Sequence, residues 1–92
     1  MIMVTKEQAL AAIDRVRRLV KERQQGDPSD VRYPILLKEF DRVERLIEMG
    51  WPLAAKDAAD LRFGLFGVKE VEDDPKLSDQ LNSLDRLLKG RI

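Results

Sequence analysis

Residues 5–25 read TKEQALAAIDRVRRLVKERQQ, and this stretch has the pattern of a long amphipathic helix. Its apolar side chains recur at helical spacing, at Ala9, Ala12, Ile13, Val16, Leu19 and Val20. Thr5 and Gln8 are spaced as a capping box, which satisfies backbone N–H groups that the first turn leaves without partners. Gly26 and Pro28 then stop the helix. We therefore predict a first helix over residues 5–25.

A second helix is predicted over residues 30–49. Its apolar side chains follow the 4, 3, 4 spacing of a packed helix seam, at Leu36, Phe40, Val43 and Ile47. Asp41 and Arg45 lie one turn apart, so we expect them to form an ion pair. Gly50 is expected to end the helix in the left-handed conformation that glycine adopts most easily.

A third helix is predicted over residues 52–64. Pro52 suits the first helical position, where the N–H group that proline lacks would have no helical partner. One face carries small side chains, which let a neighbouring helix approach closely: Ala54, Ala55, Ala58 and Ala59. Gly64 and Gly67 are expected to terminate this helix, and a loop of mixed charge follows.

A fourth helix is predicted over residues 75–89. Asp74 is a favourable N-cap and Pro75 a favourable first residue. A second seam with 4, 3, 4 spacing is formed by Leu77, Leu81, Leu84 and Leu88. Gly90 is expected to end the helix.

These segments predict an all-α protein in which residues 1–92 form a single helical domain. Short connections favour antiparallel neighbours, so we expect a four-helix bundle of antiparallel amphipathic helices. A chain of 92 residues buries a smaller share of its surface than a larger domain does. Its charge is also uneven, because both ends are basic and the middle is acidic although the net charge is zero. Both features favour completion of the bundle by homodimerisation.

The composition lacks the residues on which most catalysis depends. There is no cysteine and no histidine, so a thiol nucleophile and a base that titrates near neutral pH are missing. The five glycines are scattered and form no phosphate-binding loop. We expect no enzyme activity and no cofactor. The sequence shows no secretory signal and no membrane span, so we expect a cytoplasmic location and no membrane partner.

Four carboxylates gather shortly before the fourth helix, at Glu70, Glu72, Asp73 and Asp74. Such a group suggests a calcium or magnesium site, but the spacing lacks the central glycine and distal glutamate of a calcium-binding loop. Acidic residues are also favoured at the positive N-terminal end of a helix. We favour this second interpretation and expect no metal.

The absence of catalytic groups leaves protein binding as the favoured function, in the role of an adaptor, a regulator or an inhibitor. Trp51 and the apolar segment with Phe63, Leu65 and Phe66 are the candidate contact residues, because exposed apolar clusters mark protein contacts. The competing interpretation is that Phe63 and Phe66 close one end of the bundle and that Trp51 covers the core. An antitoxin or immunity-type protein that masks a toxic enzyme is one alternative of the same kind.

The first helix also carries a basic set, within which Arg17 and Lys21 are a secondary candidate patch. Positive side chains along a helix can neutralise phosphates, so a nucleic-acid-binding helical protein is a further alternative. Asp14 and Glu22 lie in the same stretch, and the basic residues spread around the helix. An acidic protein partner therefore fits this helix better than a nucleic acid does.

Residues 46–51, read as LIEMGW, are followed by an alanine-rich segment. This combination resembles the Met-Gly-aromatic loop of ubiquitin-associated domains, in which the loop binds ubiquitin. The resemblance covers only part of the chain. It departs from the family at Pro52, in the alanine and leucine spacing that follows, and in the last helix. We therefore do not assign the chain to that family.

Overall fold

The structure is a computed structural model and describes residues 3–90, over which the chain is helical and contains no strand. The helices are α1 (Lys6–Gly26), α2 (Arg32–Met49), α3 (Ala55–Ala59), α4 (Phe63–Lys69) and α5 (Pro75–Leu88). Helix α1 packs on α2 and on α5, and α4 packs on α5. The all-helical class predicted from the sequence is therefore confirmed.

Helix α1 begins as its sequence predicts. The Thr5 hydroxyl accepts from the backbone N–H of Gln8 at 3.1 Å, and the Gln8 side chain accepts from the N–H of Thr5 at 2.9 Å. The predicted apolar stripe of this helix is buried throughout. The capping box fixes the first turn, and the stripe supplies the burial that holds the helix against its neighbours.

Helices α2 and α5 bury the two predicted seams. All four α2 seam residues and the four α5 seam leucines lie in one cluster of buried side chains. Asp74 caps α5 by accepting from the N–H of Leu77, and Pro75 is the first helical residue, as predicted. Gly90 follows the end of α5 with a positive φ of 73°, which glycine adopts without strain.

Three details of the second helix and of the start of the third differ from the prediction. Asp41 is bound by Arg17 of α1 and forms no ion pair with Arg45. Gly50 is extended, with φ −179° and ψ 130°, instead of left-handed. The peptide bond between Trp51 and Pro52 is cis, and Pro52 lies ahead of the next helix instead of beginning it.

The predicted third helix over residues 52–64 is divided in two. Leu61 and Phe63 are both buried, yet residues two apart on a continuous helix point in different directions. A break between Asp60 and Arg62 lets both side chains reach the core. Gly64 and Gly67, expected to terminate the third helix, instead lie within α4.

Candidate functional site

Helix α4 is fixed to the core by Phe63. This side chain is only 1% exposed and stacks on Phe40 of α2, with ring centroids 5.2 Å apart. Phe66 is half-buried and packs against the same core. Of the apolar segment predicted to make contacts, Phe63 is therefore a core residue, and Phe66 offers only part of its surface.

The two glycines of α4 face α5. A Cβ atom on Gly67 would lie 3.0 Å from the backbone oxygen of Ser78, and one on Gly64 would lie 2.8 Å from a carboxylate oxygen of Asp85. The Ser78 hydroxyl also donates to the carbonyl oxygen of Gly67 at 2.7 Å. The close approach of α4 to α5 therefore depends on the absence of side chains at these positions.

The opposite side of α4 is apolar and exposed. Leu65 is 48% exposed and Val68 is 56% exposed, and their i, i+3 spacing places them side by side. Arg62 and Lys69 are exposed beside them, and neither forms an ion pair within residues 3–90. We call Arg62, Leu65, Val68 and Lys69 the outer face of α4. Such a surface can bury apolar area against another protein and offer two cations at its edge.

Trp51 lies at another part of the molecule. Its ring is half-buried against the core, and its indole N–H donates to the carbonyl oxygen of Val4 at 2.7 Å. The side chain therefore joins the residues that precede α1 to those that follow α2. This position agrees with the interpretation in which Trp51 covers the core.

The basic patch predicted on the first helix is divided by its contacts. Arg17 is only 15% exposed and is bound by Asp14, Asp41 and Glu44. Burial lowers the pKa of Arg17, but the hydrogen bond to Glu44 and the neighbouring carboxylates raise it above its ordinary value. The guanidinium therefore stays charged, and its charge is neutralised within the chain. Lys21 is exposed and lines a groove between α1 and α2.

The acidic segment before α5 binds arginines. Asp74 accepts from Arg23 at 2.7 Å, and Asp73 accepts from Arg32 at 2.9 Å. Arg32 also donates to the carbonyl oxygen of Glu70 at 2.6 Å. Hydrogen bonds from these arginines hold the pKa of Asp73 and of Asp74 below the ordinary range. Within the described residues, no group of acidic side chains is arranged to hold a metal ion.

Sequence reasoning missed a second exposed stripe, on the side of α2 that faces away from the core. Its six exposed residues follow 4, 3, 4, 3, 4 spacing, and they are Val31, Ile35, Lys38, Arg42, Arg45 and Met49. The spacing is visible in the sequence. Three of the six positions are charged, however, and charged positions on a helix are ordinarily interpreted as a solvated face. We call these six residues the outer stripe of α2.

Comparison with known proteins adds no relative of the chain. No family model matches it, and neither the search of curated proteins nor the search of solved structures finds a match. Among residues 3–90, none of the helices has the length and apolar character needed to cross a membrane.

Proposed function

We propose that this chain is a small, non-catalytic protein-interaction module, acting as an adaptor, a regulator or an inhibitor, and that the outer face of α4 makes the contact. One observation carries the proposal: α4 buries Phe63 in the core and packs its glycines on α5, yet it leaves Leu65 and Val68 exposed. A helix that served the core alone would be expected to carry polar side chains at its exposed positions.

A partner would remove that exposed apolar surface from water. Each Å² of buried apolar surface is worth about 25 cal/mol, so Leu65 and Val68 form a small but useful anchor. Arg62 and Lys69 border them and have no acidic partner within the described chain, so they are free to set orientation by pairing with carboxylates. An antitoxin or immunity-type protein is a special case, in which the partner is an enzyme that the contact inhibits.

Two structural features belong to the same proposal. We infer that the described helices form an antiparallel bundle and that pairing of two copies completes it. A small core supports this inference, because short chains commonly gain stability by association. The location in the cytoplasm stays a prediction from the sequence.

The test compares the wild-type chain with a Leu65→Asp, Val68→Asp variant after circular dichroism shows that both are folded. Light scattering with size-exclusion chromatography gives the mass, and pull-down from the source lysate gives the bound proteins. We expect the variant to lose a specific partner that the wild type retains, or to fall from the mass of two chains to that of one. A Met3→Asp variant also places a charge at an exposed apolar residue and should behave as the wild type does. If the wild type and both variants had the same mass and retained the same proteins, the proposal would be refuted.

Nucleic-acid binding by α1 is less well supported than protein binding. Arg17, central to the predicted basic patch, is already bound by carboxylates of its own chain. Arg18 and Lys21 remain exposed, so an Arg18→Glu, Lys21→Glu variant isolates their contribution. Binding to a DNA duplex that falls steeply with salt and is lost in this variant would favour the nucleic-acid alternative.

A further inference from the structure

The outer stripe of α2 has the dimensions of a helix-docking surface. It runs from Val31 to Met49, which corresponds to about 27 Å at 1.5 Å per residue. Its 4, 3, 4, 3, 4 spacing keeps the six side chains on one line along the helix, as in a two-helix seam. Both ends of the line are apolar and exposed, with Val31 and Ile35 at the start and Met49, 84% exposed, at the finish.

The centre of the stripe carries positive charge that the chain only partly balances. Arg42 is bound by Glu39, and the nearby Asp41 is bound by Arg17. Lys38 and Arg45 are exposed and form no ion pair anywhere in residues 3–90. These two cations are two turns apart on the same line. A helix lying along the stripe would therefore meet two unpaired positive charges between apolar ends.

A second copy of this chain does not fit the stripe. If two α2 stripes were paired in parallel, Lys38 would face Lys38 of the other copy. If they were paired in antiparallel fashion, Lys38 would face Arg42, and like charges in contact oppose association. The exposed sides of α1 and α5 are not complementary to the basic stripe either, because acidic residues there alternate with basic residues such as Arg18 and Arg86. Helices α3 and α4 are too short to cover the stripe, so no helix of a second copy is complementary to it, and the partner is a different protein.

We propose that the outer stripe of α2 binds an acidic amphipathic helix of a different protein. Carboxylates of that helix pair with Lys38 and Arg45, and its apolar side chains cover Ile35 and Met49. This is helix-on-helix recognition, in which the spacing of the anchors supplies the register and the charges select the partner. The surface is separate from the outer face of α4, so this inference does not rest on the proposed function.

The test is selection from a displayed library of helical peptides. Six positions with 4, 3, 4, 3, 4 spacing are randomised, all other positions are uncharged, and the wild-type chain is the bait. We expect enriched peptides to carry aspartate or glutamate at the central positions and apolar residues at the ends. The tightest peptide, once synthesised, should lose roughly tenfold or more of its affinity for a Lys38→Glu, Arg45→Glu variant.

Matched controls separate this result from general electrostatics and from the outer face of α4. A Lys76→Glu, Arg86→Glu variant makes the same change in net charge at exposed positions of α5 and should bind as the wild type does. The Leu65→Asp, Val68→Asp variant should also retain the peptide. Circular dichroism must show each variant folded. Failure to enrich any peptide, enrichment without acidic residues, or equal binding by the Lys38→Glu, Arg45→Glu variant would each overturn the proposal. So would binding of a DNA duplex through Lys38 and Arg45 in place of any peptide.

Discussion

The indole nitrogen of Trp51 lies 2.7 Å from the carbonyl oxygen of Val4, and its N–H donates a hydrogen bond to that oxygen. The two residues are far apart in sequence but meet where α1 begins and α2 ends. Both side chains pack against the core without being fully buried. This contact therefore closes one end of the α1–α2 pair with one hydrogen bond and the face of one aromatic ring.

Replacing Trp51 with phenylalanine should remove the hydrogen bond while keeping an aromatic ring. We expect a Trp51→Phe variant to lose about 1 kcal/mol of unfolding free energy, the usual net value of one such bond. Urea unfolding followed by circular dichroism measures the loss. A Met49→Leu variant changes an exposed neighbour and should unfold as the wild type does. An unchanged Trp51→Phe variant would mean that the hydrogen bond adds no net stability.

Truncation should cost much more stability at Phe63 than at Leu65, although the two residues are only two positions apart. Phe63→Ala removes a buried ring stacked on Phe40 and should cost about 3–5 kcal/mol. Leu65→Ala alters a side chain that is 48% exposed and should cost about 0.5 kcal/mol or less. Thermal unfolding of the two variants makes the comparison. A large loss for Leu65→Ala would show that this side chain is part of the core.

The contact of α4 with α5 should not tolerate a side chain at Gly67. A Gly67→Val variant would place its Cβ 3.0 Å from the backbone oxygen of Ser78, which belongs to a helix and moves little. We expect a loss of about 1–3 kcal/mol from overpacking. Gly26→Ala is the control, because the added Cβ would meet no atom of another part of the fold within 4 Å. It should be neutral or stabilising, and urea unfolding of both variants gives the sign.

Acid should weaken the contacts between the acidic segment and the two arginines. The pKa values of Asp73 and Asp74 lie below their ordinary value in the folded chain, because Arg32 and Arg23 donate hydrogen bonds to them. A depressed folded pKa means that the stabilisation is complete above the unfolded pKa, about 3.9, and is lost as pH falls through the folded value. The urea concentration at the unfolding midpoint should therefore fall when the pH is lowered below about 4.

An Arg23→Gln, Arg32→Gln variant checks the origin of that pH dependence. Its urea midpoint should be lower than that of the wild type at pH 7, and the further drop in acid should be smaller. Arg18→Gln removes an exposed arginine that forms no ion pair within residues 3–90, and it should keep the wild-type pH dependence. If both variants lost stability in acid as steeply as the wild type, other groups would be responsible.

Helices α1, α2 and α5 were predictable because the information that determines them is local. A capping box at Thr5, an N-cap at Asp74 and stripes of apolar residues all act within a few residues of their own position. Apart from Tyr33 of α2, the buried residues of these helices match the predicted stripes for the same reason. Their long, regular spacing left few other ways to bury the apolar side chains.

Helices α3 and α4 could not be predicted in the same way, because their form depends on distant neighbours. Phe63 is buried because it stacks on Phe40 of α2. Gly67 is required because the backbone of Ser78 in α5 approaches it closely. Ordinary sequence patterns assign glycine to helix ends, and here it lies inside a helix at a close contact. The contact residues of the candidate site could not be predicted for the same reason, because the sequence alone does not show that Leu65 is exposed and Phe63 is buried.

The ion pairs were hidden from sequence reasoning as well. The sequence pattern groups Arg17 with basic surface residues, yet its side chain binds Asp41 and Glu44 of the next helix. Arg23 and Asp74 are 51 positions apart along the chain. No local pattern joins such residues, because their proximity follows from the packing of α1, α2 and α5.

Helix α3 contributes no fully buried side chain, so we expect it to be the segment most susceptible to proteolysis. Such a segment can open while the rest of the molecule stays folded, and it should exchange its amide hydrogens first. Trypsin should cleave early after Lys56, leaving one fragment with α1 and α2 and another with α4 and α5. The stacked rings and arginine contacts that join these halves do not need the peptide bond between them. The two fragments should therefore remain together after cleavage and reassemble when mixed, like a split reporter.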